Sequence, residues 1–130
     1  MAETSKATYQ ILVVDDEPTV CKAIQMMLRY YGHEVQTAND GQAALAAFAA
    51  GKFDLVITDY LMPEMKGDQL VSQIKQSRPD QRVIMVTAFA EDFTARGKPT
   101  GGVDLVLNKP FSLDELRTAI TKVMGCEQVK

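Results

Sequence analysis

Five side chains suited to phosphoryl and metal chemistry stand where predicted strands end. They are Asp15, Asp16, Asp59, Thr87 and Lys109. Three carboxylates brought close together repel one another, and without a counter-charge at least one would have its pKa raised. Hard oxygen ligands with room for water suit Mg²⁺, which also binds phosphoryl oxygens. A carboxylate such as Asp59 can attack phosphorus to give an acyl phosphate, while Mg²⁺, Lys109 and Thr87 each take one phosphoryl oxygen.

Short apolar strands that alternate with helical patterns must position these side chains. The strands are predicted at Tyr9–Val14, Glu34–Ala38, Leu55–Thr58, Arg82–Val86 and Leu105–Leu107. The alternation favours βαβ units, and therefore a parallel sheet with helices on both faces, in one α/β domain. The carboxyl ends of parallel strands lie at one edge of the sheet, here called the carboxyl edge, where such sheets bind ligands. The five side chains are therefore expected to converge there.

Local signals mark the predicted helices. The first has Pro18 in its first turn and stops at Gly32. Asn39 or Asp40 can cap the second, and Ser112 with Glu115 forms a capping box on the last. The second helix is predicted at Gln42–Ala50 and the third at Asp68–Ser77. The methionines at core spacing are expected to pack in the core; they are Met26, Met27, Met85 and Met124. His33, which follows Gly32, is expected at the surface.

The connection after the fourth strand is the exception to these clear helices. Gly97, Pro99, Gly101 and Gly102 interrupt it. Proline costs about 3 kcal/mol in a helix interior and each glycine about 1 kcal/mol relative to alanine. At most a short fourth helix from Glu91 to Arg96 is predicted, followed by an irregular connection.

Composition narrows the possible functions. The 130 residues include 14 basic and 17 acidic ones, a net charge of −3 without blocks of like charge, so neither nucleic acid nor an anionic membrane is an expected partner. Cys21 and Cys126 show no metal-binding or CxxC spacing, which favours a reduced, cytoplasmic setting. No apolar run approaches the ~20 residues of a membrane span. The expected organisation is a tail at 1–8, a domain at 9–125 and a tail at 126–130.

Four motifs carry a resemblance to a known family. They are VVDDEP at Val13–Pro18, TDYLMPEMKG at Thr58–Gly67, VTA at Val86–Ala88 and NKPF at Asn108–Phe111. With these, the sequence resembles response-regulator receiver domains of bacterial two-component signalling, from about Tyr9 to Met124. The resemblance implies a single doubly wound, flavodoxin-like, five-stranded parallel sheet. Its strand order would be 2-1-3-4-5, with helices on both faces and a short or irregular fourth helix.

The resemblance also implies a role for each site residue. Asp59 would accept a phosphoryl group from a kinase phosphohistidine. Asp16 and Asp59 would bind Mg²⁺ directly, Asp15 would help through water, and the Leu61 backbone carbonyl would complete the protein ligands. Thr87 and Lys109 would move toward the phosphoryl group, and the Lys109–Pro110 peptide bond would be cis.

The partners implied by the resemblance are proteins. A sensor histidine kinase or phosphotransfer protein would donate the phosphoryl group. A downstream protein would bind the last helix, the fourth strand–helix connection and the fifth strand. No output domain is seen, so that protein is expected to be separate unless the chain is part of a longer one. The domain is expected to be regulatory, a monomer or weak dimer, catalysing only its own phosphorylation and autodephosphorylation.

The sequence departs from the family pattern in ways that bear on mechanism. Val106 stands where the family often has a switching Tyr or Phe, so Thr87 is expected to act instead on the order of the segment 89–102. Leu61 and Phe89 occupy positions that flank the phosphoryl group. Because both are apolar, slow autodephosphorylation is expected.

Other functions and simpler structural roles compete with this interpretation. An aspartate-based phosphohydrolase typically has a second acid two residues beyond its nucleophile, where this chain has Leu61. A flavodoxin-like FMN carrier needs a hydroxyl- and glycine-rich loop, where this chain has acidic residues at 15–17. A phosphorylation-independent protein-interaction module on the same fold is the remaining alternative. Taken singly, Asp16 is equally suited to capping a helix, and Asp59 to starting a turn.

Overall fold

The computed structural model describes residues 8–88 and 102–125, and it places five strands and four helices there. The strands are β1 (Gln10–Val14), β2 (Glu34–Ala38), β3 (Leu55–Asp59), β4 (Arg82–Thr87) and β5 (Leu105–Asn108). The helices are α1 (Pro18–Tyr30), α2 (Gly41–Ala50), α3 (Gly67–Ser77) and α4 (Leu113–Met124). The predicted helix at Glu91–Arg96 lies outside the described residues, as do Phe89 and Cys126.

All four strand pairings are parallel, and the sheet order is β2-β1-β3-β4-β5. The predicted order 2-1-3-4-5 is thereby confirmed. β3 lies at the centre and is buried along its whole length. Successive strand residues point to opposite faces, so a strand covered by helices on both sides must be apolar throughout. This is why the central strands read as unbroken apolar runs.

Two apolar cores lie on the two faces of the sheet. Alternate residues of the central strands pack on one face with Ile24 and Leu28 of α1 and with Leu116 of α4. The intervening strand residues pack on the other face with Phe48 of α2 and Leu70 of α3. α1 and α4 therefore cover one face of the sheet, and α2 and α3 cover the other, as predicted for βαβ units with helices on both faces. None of the described helices has both the length and the apolar character needed to cross a membrane.

The predicted local signals mostly agree with the structure. The Asp40 carboxylate accepts from Ala43 N at 2.7 Å, so Asp40 and not Asn39 caps α2. Ser112 and Glu115 form the reciprocal capping box of α4. The Lys109–Pro110 bond is cis, as the family resemblance implies.

Two side chains differ from expectation. Met26 does not pack in the core but is 65% exposed, because on α1 it lies away from the buried Ile24 and Leu28. His33 is half-buried and not a free surface residue. Its ring stacks on Tyr9 with the centroids 5.3 Å apart, and its Nδ1 accepts from Tyr9 N at 3.1 Å. Burial lowers the pKa of His33, which suits a neutral ring that accepts a hydrogen bond.

Gly67 allows α3 to begin directly against the end of β3. A Cβ added at Gly67 would overlap the Asp59 carbonyl oxygen and lie 2.9 Å from Tyr60 Cα. We expect Gly67→Ala to lower the free energy of unfolding by about 1–3 kcal/mol, because backbone must shift to make room. Urea denaturation measures this.

Gly51→Ala is the matched control for this prediction. Gly51 also adjoins a helix, but it has an extended φ of −134° and an added Cβ would find its nearest neighbour at 3.5 Å. Its replacement should change stability by less than about 0.5 kcal/mol. Equal stability of Gly67→Ala and the wild type would contradict the close approach.

Candidate functional site at the carboxyl edge of the sheet

Three carboxylates meet at the carboxyl edge, as the sequence predicts. β1 and β3 are paired with Val14 opposite Thr58, so the acids that follow these residues are brought side by side. Asp15, Asp16 and Asp59 each place a carboxylate oxygen within 4.8 Å of the others. Asp15 and Asp59 are 1% and 7% exposed, while Asp16 is half-buried. Two strands that are distant in sequence thus build one acidic cluster.

Lys109 supplies positive charge to this cluster from the loop after β5. Its Nζ lies 2.9 Å from Asp15 Oδ2 and 3.2 Å from Asp59 Oδ1. Its backbone N donates to Thr87 O at 2.9 Å, which fixes the start of the loop against the end of β4. Thr87 itself is buried at the end of β4. The structure therefore brings Lys109 to the acids and ties its backbone to Thr87.

The adjacent acids Asp15 and Asp16 have different surroundings. Asp15 Oδ2 accepts from Lys109, and its Oδ1 accepts from Glu17 N at 3.0 Å. Asp16 makes no hydrogen bond or ion pair with the described part of the chain. The N-cap of α1 is Glu17, so the alternative in which Asp16 caps this helix is wrong. Asp16 is thus available to a ligand, while Asp15 is held by the protein.

The crowding of charge shifts the pKa values of the site. Burial raises the pKa of Asp59, the charge of Asp15 raises it further, and the opposing effect of Lys109 is too small to cancel them. Burial disfavours the charged form of Lys109, but its hydrogen bonds and attraction to Asp15 and Asp59 outweigh burial and raise its pKa. Negative charge at Asp59 is therefore incompletely neutralised by Lys109 alone.

The donor set fits a small divalent cation. Carboxylate oxygens are the ligands that Mg²⁺ prefers. Burial and the charge of Asp15 raise the Asp59 pKa, and a dication among the acids would offset both effects. The salt bridges of Lys109 engage one oxygen of Asp15 and one of Asp59, and they leave Asp16 to the cation. The residues that would hold such a cation belong to the cluster Asp15, Asp16 and Asp59.

Tyr60 and Leu61 follow Asp59 in the sequence. Leu61 lies two residues beyond Asp59 and is 44% exposed. Tyr60 N donates to Val86 O at 3.2 Å, and this bond continues the ladder between β3 and β4 past Asp59. Leu61 is thus an apolar residue with much of its side chain in solvent, two positions beyond the central acid.

Sequence reasoning missed two residues that contact the site from other elements. Asn39 Nδ2 donates to the Asp15 backbone carbonyl at 3.0 Å, and the Cys21 thiol approaches the same oxygen at 3.4 Å. The sequence offers Asn39 only as one of two possible caps for α2. No sequence signal singles out its contact with Asp15, because the structure alone shows that Asp40 is the cap.

Comparison with known proteins agrees with the observed fold. The family described as "Response regulator receiver domain" matches residues 11–121. The chain is 37% identical over 124 residues to the probable transcriptional regulatory protein TcrX of Mycobacterium tuberculosis, covering 87% of this chain and 52% of TcrX. The chain spans about half or less of the length of the first curated relatives that it matches.

Two solved structures of similar proteins contain magnesium. The response regulator protein TrrA of Thermotoga maritima, in complex with Mg²⁺-BeF, is 33% identical with a TM-score of 0.79, covering 88% of this chain and 97% of that one. The receiver domain of the sensor histidine kinase PA1611 of Pseudomonas aeruginosa, with magnesium coordinated in its active site cleft, is 26% identical. Its TM-score is 0.83, covering 92% and 100% of the two chains. From the sheet order, the acidic cluster and these matches, the chain belongs to the response regulator receiver domain family.

Proposed function

We propose that this chain is a phosphoacceptor domain of a two-component phosphorelay, in which Asp59 receives a phosphoryl group from a phosphohistidine. The observation that carries the proposal is the convergence of Asp15, Asp16 and Asp59 with Lys109 at one edge of the sheet. Family membership supports it. The proposed domain spans residues 9–125, within which the family match at 11–121 lies.

The proposed transfer assigns a task to each side chain. An Asp59 carboxylate oxygen attacks phosphorus, the bond from phosphorus to the imidazole nitrogen breaks, and its electron pair stays on the imidazole. When bound, Mg²⁺ would neutralise charge on the phosphoryl oxygens. Asp16 and Asp59 would hold the cation directly, Asp15 would act through water, and the Leu61 carbonyl would complete the protein ligands. Lys109, already 3.2 Å from Asp59, would bind another phosphoryl oxygen.

Switching in this proposal starts from Thr87 and Lys109. A phosphoryl group adds about −1.5 to −2 charges and new acceptor oxygens, which favours a state with both residues drawn toward it. The proposed readout surface comprises α4, β5 and the connection after β4. Val106 is half-buried on β5. The proposal that the segment 89–102 changes its order in place of an aromatic switch concerns residues that lie, except for Gly102, outside those described.

The proposed partners are a sensor histidine kinase or phosphotransfer protein and a downstream protein target, in the cytoplasm. Proteins similar to this chain include both regulators and a sensor kinase. We propose slow autodephosphorylation because the apolar Leu61, at a family position that flanks the phosphoryl group, would hinder an attacking water. Phe89, the second residue in this argument, lies outside the described part of the chain.

Incubation with acetyl phosphate and Mg²⁺, followed by intact mass spectrometry, tests the proposal. We expect the protein to gain a single labile phosphoryl group, because Asp59 can displace acetate from phosphorus. The same incubation with EDTA in place of Mg²⁺ should give no gain. Failure to gain the group would leave a protein-interaction module on the receiver fold. Continuous release of phosphate without accumulation of the adduct would indicate a hydrolase.

A further inference from the structure

The backbone of Asp15 is held on both sides by consecutive residues at the end of β2. Asp15 N donates to Ala38 O at 3.1 Å, and the Asp15 carbonyl accepts from Asn39 Nδ2 at 3.0 Å. A backbone carbonyl can only accept a hydrogen bond, so the nitrogen of the Asn39 amide must be the atom that faces it. Asn39 thus anchors the acid cluster from outside the strands that carry the acids.

The contact matters for Asp16 because a peptide unit is planar. The Asp15 carbonyl lies in the same rigid plane as the nitrogen and Cα of Asp16. A hydrogen bond that fixes the direction of this carbonyl therefore fixes the direction in which the Asp16 chain continues. Asp16 makes no hydrogen bond or ion pair of its own with the described residues, so its placement depends on the peptide that precedes it.

Asn39 is better suited to this task than the other neighbour of the carbonyl. The Cys21 thiol is a weak donor, lies 3.4 Å from the Asp15 oxygen, and also approaches Ala38 O at 3.6 Å. The Asn39 amide is a stronger donor at a shorter distance. Asn39 is not needed to cap α2, since Asp40 does so. The Asn39 amide nitrogen also lies 3.6 Å from the Cys21 sulfur, a weak acceptor, so its main hydrogen bond is the one that holds the Asp15–Asp16 peptide.

We propose that Asn39 is a positioning residue that sets the affinity of the carboxyl edge for a divalent cation by orienting the Asp15–Asp16 peptide. This inference rests on the proposed function, since it concerns the same metal site. Mutation of residues that hydrogen-bond to metal ligands typically lowers metal affinity by about 10- to 100-fold. Removing the Asn39 donor is expected to lower the affinity for Mg²⁺ by about 10-fold.

Asn39→Leu tests the proposal, because leucine has a similar size and no donor. Mg²⁺ affinity is measured by isothermal titration calorimetry, and the Mg²⁺ dependence of phosphoryl uptake from acetyl phosphate by intact mass. We expect the Kd for Mg²⁺ and the half-saturating Mg²⁺ concentration to rise together by about 10-fold. The uptake rate at saturating Mg²⁺ should stay within about twofold of wild type. Gln42→Leu, at an exposed site near the start of α2, should change neither value.

The outcomes separate this inference from the proposed function. A Kd for Mg²⁺ within twofold of wild type in Asn39→Leu would overturn the positioning role, even if phosphoryl uptake is normal. A lower rate at saturating Mg²⁺ with an unchanged half-saturating concentration would also overturn it. If the wild type binds Mg²⁺ but takes up no phosphoryl group, the proposed function fails and calorimetry still decides the role of Asn39. Asn39→Ala repeats the measurement should the leucine variant not fold.

Discussion

Asp59→Asn is expected to gain no phosphoryl group from acetyl phosphate and to unfold at a higher temperature than the wild type. The first effect follows because an amide is not a nucleophile toward phosphorus. The second follows because burial and the charge of Asp15 raise the Asp59 pKa, so the anion is disfavoured in the folded protein. An uncharged amide removes this penalty. A gain of ~0.5–2 kcal/mol is typical when a destabilising functional residue is neutralised.

The stability gained in Asp59→Asn is also expected to depend on pH. The folded pKa of Asp59 lies above its ordinary value of 3.8, so the folded wild type holds its proton more tightly than the unfolded chain. The stability associated with that proton is fully present below pH 3.8 and is lost as the pH rises through the folded pKa. The advantage of Asp59→Asn should therefore be largest near neutral pH and should disappear in acid.

Thermal unfolding in EDTA across this pH range checks the effect, with Asp80→Asn as control at an exposed carboxylate. The control should follow the wild type at every pH. Phosphoryl uptake by Asp59→Asn at the wild-type rate would show that another residue is the acceptor. Lower stability of Asp59→Asn at neutral pH would show that the attraction of Lys109 outweighs burial and the Asp15 charge.

Lys109→Met is expected to lower the free energy of unfolding by about 3 kcal/mol in EDTA at neutral pH. Asp15 is 1% exposed, and Lys109 is the cation that contacts it among the described residues. Removing one partner of a buried ion pair leaves an uncompensated charge, which typically costs 3–5 kcal/mol. The lower end applies here because the Lys109 side chain is 22% exposed.

Mg²⁺ should restore part of the stability lost in Lys109→Met, because a dication beside Asp15, Asp16 and Asp59 replaces the missing positive charge. Urea denaturation with and without Mg²⁺ measures both effects. Lys22→Met removes an exposed lysine from α1 and should change stability by less than about 0.5 kcal/mol. An unchanged stability of Lys109→Met would mean that the ion pair with Asp15 is energetically neutral. A loss that is unaffected by Mg²⁺ would argue against a cation site at these acids.

The convergence of Asp15, Asp16, Asp59 and Lys109 could be predicted because it follows from the topology of the sheet. Once the chain is recognised as βαβ units, every strand that ends in Asp15, Asp59 or Thr87 must end at the same edge. The capping box of Ser112 could be predicted because it depends only on two residues three positions apart. These features need the identity and spacing of residues and no knowledge of contacts across the fold.

The difference between Asp15 and Asp16 could not be predicted in the same way. Two successive acids at a strand end look alike in sequence, and their roles depend on which oxygen meets Lys109, 94 residues away. The contact of Asn39 with the Asp15 carbonyl spans 24 residues and involves a backbone atom, so it leaves no pattern in the sequence. The prediction that Met26 packs in the core was wrong for a related reason. Apolar character alone does not show which face of α1 is covered by the sheet.

The hydrogen bonds that run past the strand ends also have a kinetic consequence. Tyr60 N donates to Val86 O and Lys109 N to Thr87 O, so the peptide after Asp59 and the peptide of Lys109 are both hydrogen-bonded to β4. A cation that binds beside these hydrogen-bonded peptides would need little rearrangement of the chain. Capture should then be limited by the release of water from the ion and not by slow closure of the protein.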